Sequence, residues 1–228
     1  MSKYLPSGNE ARLRKAYENR DPRLEATVIT PYAEYNGAIG SKEYTYTLRW
    51  PATNSDEVEP YDLRTDSQTL FYYLYRKFVA EGSSETPNRE YCPWDYPLIR
   101  YADVLLMLAE CYNETGNQTK AVELINQIRD RAGIALLNSG PSYLQATSKD
   151  QVFERIKHER AIEFAAEGIR YNDLKRWGLL ISMTDNQAQV DVVGKVLSTK
   201  ITEEKYKLWP IPQEEIDMNE DLVQNTGW

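Results

Sequence analysis

Residues Leu98 to Gly133 read LIRYADVLLMLAECYNETGNQTKAVELINQIRDRAG, and the spacing of their apolar side chains decides the fold. Ala102, Leu105, Leu108, Ala109 and Tyr112 recur at three and four residues, and Ala121, Leu124, Ile125, Ile128 and Ala132 do the same. Each set makes one apolar stripe on a helix. Asn113 to Asn117 leaves room only for a tight connection, so the two helices pack antiparallel. Gly133 supplies the left-handed residue that ends the second. Small side chains at Ala109 and Ala121 predict a close approach between them.

Outward from the hairpin, a third helix is expected over Lys149 to Glu167, with Ser148 as its N-cap and Gly168 as its stop. Pro210 and Pro212 are too close together for helix, so Tyr206 to Trp228 reads as an extended tail. Towards the N-terminus, Ser7 to Asn19 has helical character and stops before Asp21-Pro22. Leu24 to Trp50 turns extended, with β-branched Thr27 to Ile29 and then the alternating run Tyr44-Thr45-Tyr46-Thr47-Leu48-Arg49-Trp50. From Pro51 to Pro97, prolines and acids interrupt one aromatic island, Leu70 to Tyr75, which reads as long, function-bearing loops. The fold class is mainly α, an α+β chain with few strands.

The hairpin also fits the tetratricopeptide spacing W-x2-L-G-x2-Y followed by A-x3-F. Leu105 stands for the Trp, Leu108-Ala109 for Leu-Gly, then Tyr112, Ala121 and Ile125. Such a unit buries its face only against neighbours, about three per stable stack, and no second copy is readable. An ordinary hairpin inside a larger α fold fits the same spacing.

Composition narrows the function. With 228 residues, 41% of them hydrophobic, the chain can bury a sizeable core. A net charge of −8 argues against nucleic acid and anionic lipid, which need a positive footprint. No apolar run approaches the roughly 20 residues of a membrane span, and the first twenty residues lack a signal-peptide core. Cys92 and Cys111 have no metal-ligand spacing; a disulfide between them is left open. Seventeen Tyr and 5 Trp stand against 4 Phe, a weighting toward rings with a polar handle that suits half-wet surfaces.

Glu159, Glu163 and Glu167 follow one another at i+4, so on a continuous helix three carboxylates share one face. A glycosidase needs its carboxylates across a substrate, which one helical face does not provide. A structural charge network of Glu159, Arg160, Glu163, Glu167, Arg170, Asp173 and Arg176 is the expectation, with the three arginines as partners. His158 is the lone histidine, and no nucleophile elbow, phosphate loop or Cys/His metal set is present. An enzyme is not expected.

Several blocks carry a family resemblance. Pro97 to Glu110 and Leu124 to Gly133 are two; Glu159-Arg160 through Glu163-Phe164 with Glu167 to Arg170 is a third. Asp173-Leu174-Lys175-Arg176-Trp177-Gly178, the end from Leu208-Trp209-Pro210-Ile211-Pro212 to Trp228, and Arg20-Asp21-Pro22-Arg23-Leu24 complete the set. In this order they resemble the C-terminal portion of the SusD/RagB family of outer-membrane nutrient-binding proteins. The resemblance implies a SusD-like α/α superhelix of tetratricopeptide-like helices. Residues 1–228 would then be one incomplete domain, with a loop-rich, ligand-facing part (1–97), a helical scaffold (98–180) and an irregular C-terminal segment (181–228).

The same resemblance implies non-catalytic capture of oligosaccharide or polysaccharide for glycan or starch utilisation in Bacteroidetes-type bacteria. The ligand would pass to a SusC-like TonB-dependent transporter. Its partners would be that transporter, the glycan and an N-terminal half of the same protein, and its place the outer membrane, as a cell-surface lipoprotein. A peptide-capturing relative and a helical-repeat interaction scaffold without a small ligand are the alternatives. No cofactor is implied; a structural calcium ion is left open.

Sugar C–H faces stack on aromatic rings while their hydroxyls need polar partners. The candidate ligand-binding residues are therefore Trp50, Tyr44 and Tyr46 on the strand, and Tyr72, Tyr73, Tyr75, Trp94 and Tyr96 in or beside the loops. A core-facing stripe is the competing reading for Tyr44 and Tyr46. Trp177 and Trp209, inside family blocks, read as packing residues.

Overall fold

The computed structural model describes residues 10–30, 32–39, 42–47, 74–82, 95–190 and 196–228. They divide into a first unit ending at Glu167 and a second from Gly168 to Trp228.

The first unit opens with α1 (Glu10–Tyr17) and α2 (Arg23–Thr27), which starts directly after Pro22. The stretch expected to extend from Leu24 is instead helical to Thr27, and of the β-branched run Thr27 to Ile29 only the last two residues extend, as β1 (Val28–Ile29). β2 (Glu34–Ile39) and β3 (Lys42–Thr47) form an antiparallel hairpin that sets Tyr35 opposite Tyr46 and Gly37 opposite Tyr44. β4 (Leu74–Tyr75) returns to β1, with Val28 opposite Tyr75. Several bonds tie the hairpin to the residues after β4, among them the Tyr35 hydroxyl donating to the Ala80 carbonyl at 2.8 Å and the Gly82 N–H donating to the Asn36 carbonyl at 2.8 Å.

Three helices hold the core: α3 (Tyr101–Glu114), α4 (Gln118–Arg131) and α5 (Lys149–Glu163), with α3 packed on both of the others. The turn between α3 and α4 places Gly116 at φ 86°, a backbone that favours glycine. Asn117 then caps α4 by accepting from the Lys120 N–H at 3.1 Å. Ser148 opens α5 in a reciprocal capping box with Gln151. Ala109 and Ala121 are both fully buried, as close packing requires.

The buried face of α3 differs from the one the spacing predicts. It consists of Ala102, Leu105, Leu106, Ala109 and Asn113, whereas Leu108 is 42% exposed. The cause is α5, a second partner that draws the face round toward Leu106 and Asn113. Buried Asn113 is satisfied there, its side-chain amide donating to the Lys149 carbonyl at 3.0 Å.

The third helix also ends earlier than expected, at Glu163 rather than Glu167. Lys77 Nζ donates to the carbonyls of Glu163 and Ala165 at 3.0 and 3.3 Å, and Arg100 donates to the Glu163 carbonyl at 3.2 Å. Those donors occupy acceptors that a continuing helix would use. The chain turns instead through Ala166 at φ 68°.

In the second unit, Gly168 at φ 74° starts α6 (Ile169–Arg176) rather than merely stopping α5. α7 (Leu180–Thr184) follows, then the antiparallel pair β5 (Gln187–Val190) and β6 (Val196–Lys200) and a 3₁₀ turn, Glu204–Lys207. The expected extended tail contains α8 (Gln213–Met218). Pro212 stays extended at ψ 138° as its N-cap, so both prolines lie outside the helix they seemed to forbid. The segment 181–228 is thus more regular than its sequence suggests. The whole is mainly α, as expected.

Candidate functional site

The N-terminal elements enclose a polar cavity of about 420 Å³ lined by Arg14, Glu25, Val28, Tyr32, Ala33, Glu34 and Arg76. α1 supplies Arg14, α2 supplies Glu25, and Arg76 follows β4. Tyr32 is buried, with the Arg14 guanidinium 5.7 Å from the centre of its ring. Its backbone sits at φ 66°, a left-handed conformation costly for a bulky side chain, on the order of 1–3 kcal/mol. Such strain persists only where the surroundings impose it. Arg76 donates to Glu81 at 2.8 Å and to the Glu34 carbonyl, while its Nε is buried with no hydrogen-bond partner among the described residues.

Two guanidiniums, two carboxylates and an aromatic ring in one cavity offer donors, acceptors and an apolar face together. That mixture suits a neutral, hydroxyl-rich ligand. A second cavity of about 350 Å³ is lined by Leu24, Thr27, Val28, Ala161, Ile162 and Ala165, with Arg20, Asp21 and Arg23 as its polar wall.

The aromatic residues predicted from sequence are only partly placed. Tyr75 is 62% exposed at the end of β4. Tyr96 is also exposed, its ring 4.9 Å from that of Phe78, which itself has φ 64°. Tyr44 and Tyr46 lie on β3 in the register given above. Trp50, Tyr72, Tyr73 and Trp94 lie outside the described residues, as does Cys92; Cys111 is an exposed free thiol. Sequence reasoning missed Arg14, Glu25, Tyr32, Glu34 and Arg76, because a cavity formed by α1, α2 and the end of β4 has no local spacing to announce it.

The charge network is what positions these parts. Arg23 Nη1 reaches Glu159 at 2.6 Å and Glu163 at 3.1 Å, while its other nitrogens hold Asp21. Glu159 also accepts from Arg129 at 3.0 Å. Glu163 accepts from Arg100 at 3.0 Å and from Arg131 at 2.7 Å; Glu167 pairs with Arg100 at 2.7 Å and with Lys77. Arg160 pairs with Asp103 at 2.7 Å, and its guanidinium carbon lies over the Phe164 ring, 5.1 Å from the ring centre. The arginines expected to serve the glutamates were Arg160, Arg170 and Arg176, whereas Arg23, Arg100, Arg129 and Arg131 do so. The last two of the expected set are in the second unit, where Arg176 pairs with Asp173 at 3.0 Å and Arg170 Nη1 is buried with no hydrogen-bond partner among the described residues.

Burial alone pushes the Glu163 carboxyl up, but bonds from Arg131, Arg23 and Arg100 outweigh it and hold the group below its ordinary 4.5. The Arg23 hydrogen bond likewise lowers Asp21. Burial works downward on Arg23 and Arg100, and their carboxylate partners more than reverse it. Both acids are easier to ionise folded than unfolded, so their stabilisation is complete above about pH 4.5 and is lost as pH falls through the folded values. Thermal melting should therefore be flat in this respect from pH 7 to 5, with the midpoint falling steeply below pH 4. A midpoint that rises on acidification would contradict the assignment.

Among the described residues no group of three or more His, Cys, Asp or Glu could hold a metal ion, and no helix is long and apolar enough to cross a membrane.

The sequence profile of the SusD family matches residues 5–228. Similar proteins include SusD-like protein P38 of Formosa agariphila, 38% identical over 86% of this chain and 33% of that protein. Starch-binding protein SusD of Bacteroides thetaiotaomicron is 30% identical over 68% of this chain and 25% of its own length. A SusD-like carbohydrate binding protein of known structure from Bacteroides fragilis aligns with a TM-score of 0.59 at 26% identity, covering 98% of this chain and 44% of that one. The chain spans about a third or less of these curated relatives. A match over nearly its whole length, on a helical hairpin braced by buried carboxylates, leads to one conclusion: the chain belongs to the SusD family.

Proposed function

We propose that this chain is the C-terminal part of a non-catalytic glycan-capturing lipoprotein at the bacterial cell surface. It binds oligosaccharide or polysaccharide and delivers it to a SusC-like TonB-dependent transporter in the outer membrane. The observation that carries the reading is the family match over residues 5–228, with a starch-binding protein and a carbohydrate binding protein among the relatives. The polar groups of the cavity lined by Arg14, Glu25 and Arg76 and the exposed rings of Tyr75 and Tyr96 are consistent with it, because the first offer hydrogen bonds and the second a ring face for a sugar. Trp50, Tyr44, Tyr46, Tyr72, Tyr73 and Trp94 complete the proposed ligand-facing set, and the role asks for neither metal nor cofactor.

Affinity electrophoresis against a panel of polysaccharides, with calorimetry on oligosaccharides from any that retard the chain, tests this. At least one glycan should bind, and Tyr75→Ala should weaken it by roughly threefold to tenfold, the worth of about one stacked ring. Binding of peptides in place of every glycan would favour peptide capture, and release of reducing ends would overturn the non-catalytic reading.

A further inference from the structure

The second unit carries an aromatic surface that the proposed function does not use. Trp209 is 72% exposed, although a tryptophan within Leu208-Trp209-Pro210-Ile211-Pro212 is expected to pack. Its backbone is held on both sides. The Asn225 amide donates to the Trp209 carbonyl at 2.6 Å, and the Gln224 side chain brackets Ile211, accepting from its N–H and donating to its carbonyl, both at 2.9 Å. The indole is presented outward from a fixed frame, so little ordering is needed before it can bind.

Tyr171 on α6 lies beside it, the ring centres 6.1 Å apart and tilted by 55°. One turn further along the helix, Lys175 Nζ stands 5.8 Å from the indole centre and 5.7 Å from the phenol centre. These two rings are its partners; Lys175 has no carboxylate partner among the described residues. The Tyr171 hydroxyl donates to the Tyr206 carbonyl at 3.0 Å, joining this cluster to a second one. There Tyr206 and Trp228 meet edge to face at 5.5 Å with Lys205 Nζ 5.3 Å from each ring, and the Trp228 indole N–H donates to the carbonyls of Lys205 and Leu208. Lys205, unlike Lys175, has an acid beside it, Glu203 at 3.5 Å.

An open indole face stacks well on the C–H face of a pyranose. A ring-flanked ammonium without a counter-charge favours a ligand that brings one, and a charge-assisted bond there is stronger than one between neutral groups. A peptide would call for a groove or a free strand edge rather than a flat ring, and the net charge of −8 disfavours nucleic acid. We infer that Trp209, Tyr171 and Lys175 form a subsite for an acidic saccharide, the sugar ring stacked on the Trp209 indole and its carboxylate or sulfate at Lys175 Nζ. This rests on the glycan reading and adds to it a ligand class and a second location.

Tryptophan fluorescence and calorimetry on the chain with oligogalacturonate, a sulfated galactan oligosaccharide and a neutral malto-oligosaccharide test it. An acidic ligand should quench fluorescence and bind with salt-sensitive affinity; the two acidic arms tell carboxylate from sulfate. Trp209→Ala should weaken acidic binding roughly tenfold while Trp209→Tyr keeps most of it, and Lys175→Gln should weaken the acidic ligand more than the neutral one and flatten its salt dependence. Unchanged melting temperatures would show that these exposed substitutions spare the fold. Acidic binding that survives Trp209→Ala and Lys175→Gln, or preference for the neutral sugar, overturns the subsite and leaves the glycan reading standing. No binding by any glycan overturns both. Loss of a protein partner from Trp209→Ala with acidic binding intact makes the surface a protein contact instead.

Discussion

Glu163→Gln is expected to destabilise the first unit by about 3–5 kcal/mol, the usual cost of removing one member of a buried ion pair. The Glu163 side chain is nearly inaccessible and accepts from three guanidiniums: Arg131 at 2.7 and 2.8 Å, Arg100 at 3.0 Å and Arg23 at 3.1 Å. Glutamine preserves the shape but replaces one acceptor oxygen with a donor that faces other donors, and it removes the charge that balances them. Arg131 is half exposed and can turn to water, whereas Arg23 and Arg100 are largely enclosed. The loss should therefore fall toward the lower end of the range. Urea unfolding followed by circular dichroism should show a lower midpoint with an unchanged slope. The acid sensitivity of the unaltered chain should shrink in the variant, because one of the two lowered carboxyls is gone. A shift within about 0.5 kcal/mol, the size of an ordinary surface substitution, would show that these contacts are dispensable.

The second large effect separates two readings of one helix. Leu106→Ala should cost about 2–5 kcal/mol, because it removes a wholly buried side chain from the face of α3 that meets α4 and α5 and leaves a cavity. Leu108→Ala, two residues on, should cost under about 1 kcal/mol in this chain, since Leu108 is substantially exposed. The tetratricopeptide spacing predicts the reverse, with Leu108 inside and Leu106 unassigned. Equilibrium unfolding of both variants under one set of conditions decides which face is buried.

The same contrast explains how much was legible in advance. The helices of the hairpin were readable because a stripe repeating at three and four residues is a local property of the chain, and so were their limits at Asn117 and Gly133. Ser148 announced the start of α5 for the same reason, since a cap and its Gln151 partner lie within three residues. The helical start of the chain was visible in outline, and so was the extended run at Val28–Ile29 and Lys42–Thr47, whereas the stretch expected to extend from Leu24 is helical as far as Thr27. What failed was whatever depended on a distant residue. The end of α5 at Glu163 follows from Lys77 and Arg100 taking its carbonyls across separations of 86 and 63 residues. Pro210 and Pro212 exclude helix only at their own positions, and α8 begins just after the second of them.

For the candidate site the balance is less favourable. Exposed Tyr75 and Tyr96 stand out as aromatic residues among polar and proline-rich sequence, so composition alone could nominate them. Tyr32, Arg14 and Arg76 could not be nominated, because their meeting depends on α1, α2 and β4 closing on one cavity. Arg23, Arg100, Arg129 and Arg131 all lie inside the blocks that resemble the family, and the arginine content of those blocks is the sequence signal that points to them.

By itself the sequence determined the helical hairpin, the mainly α class and the family, because periodicity and motif spacing are short-range, and it placed Glu159 and Glu163, though not Glu167, on one helix. Only the tertiary structure decided which face of α3 is buried, which arginines neutralise Glu159, Glu163 and Glu167, and that Trp209 stands in solvent. Each of these is set by groups far apart in the chain that come within a few ångströms in space, and charge pairing and packing act on that distance alone.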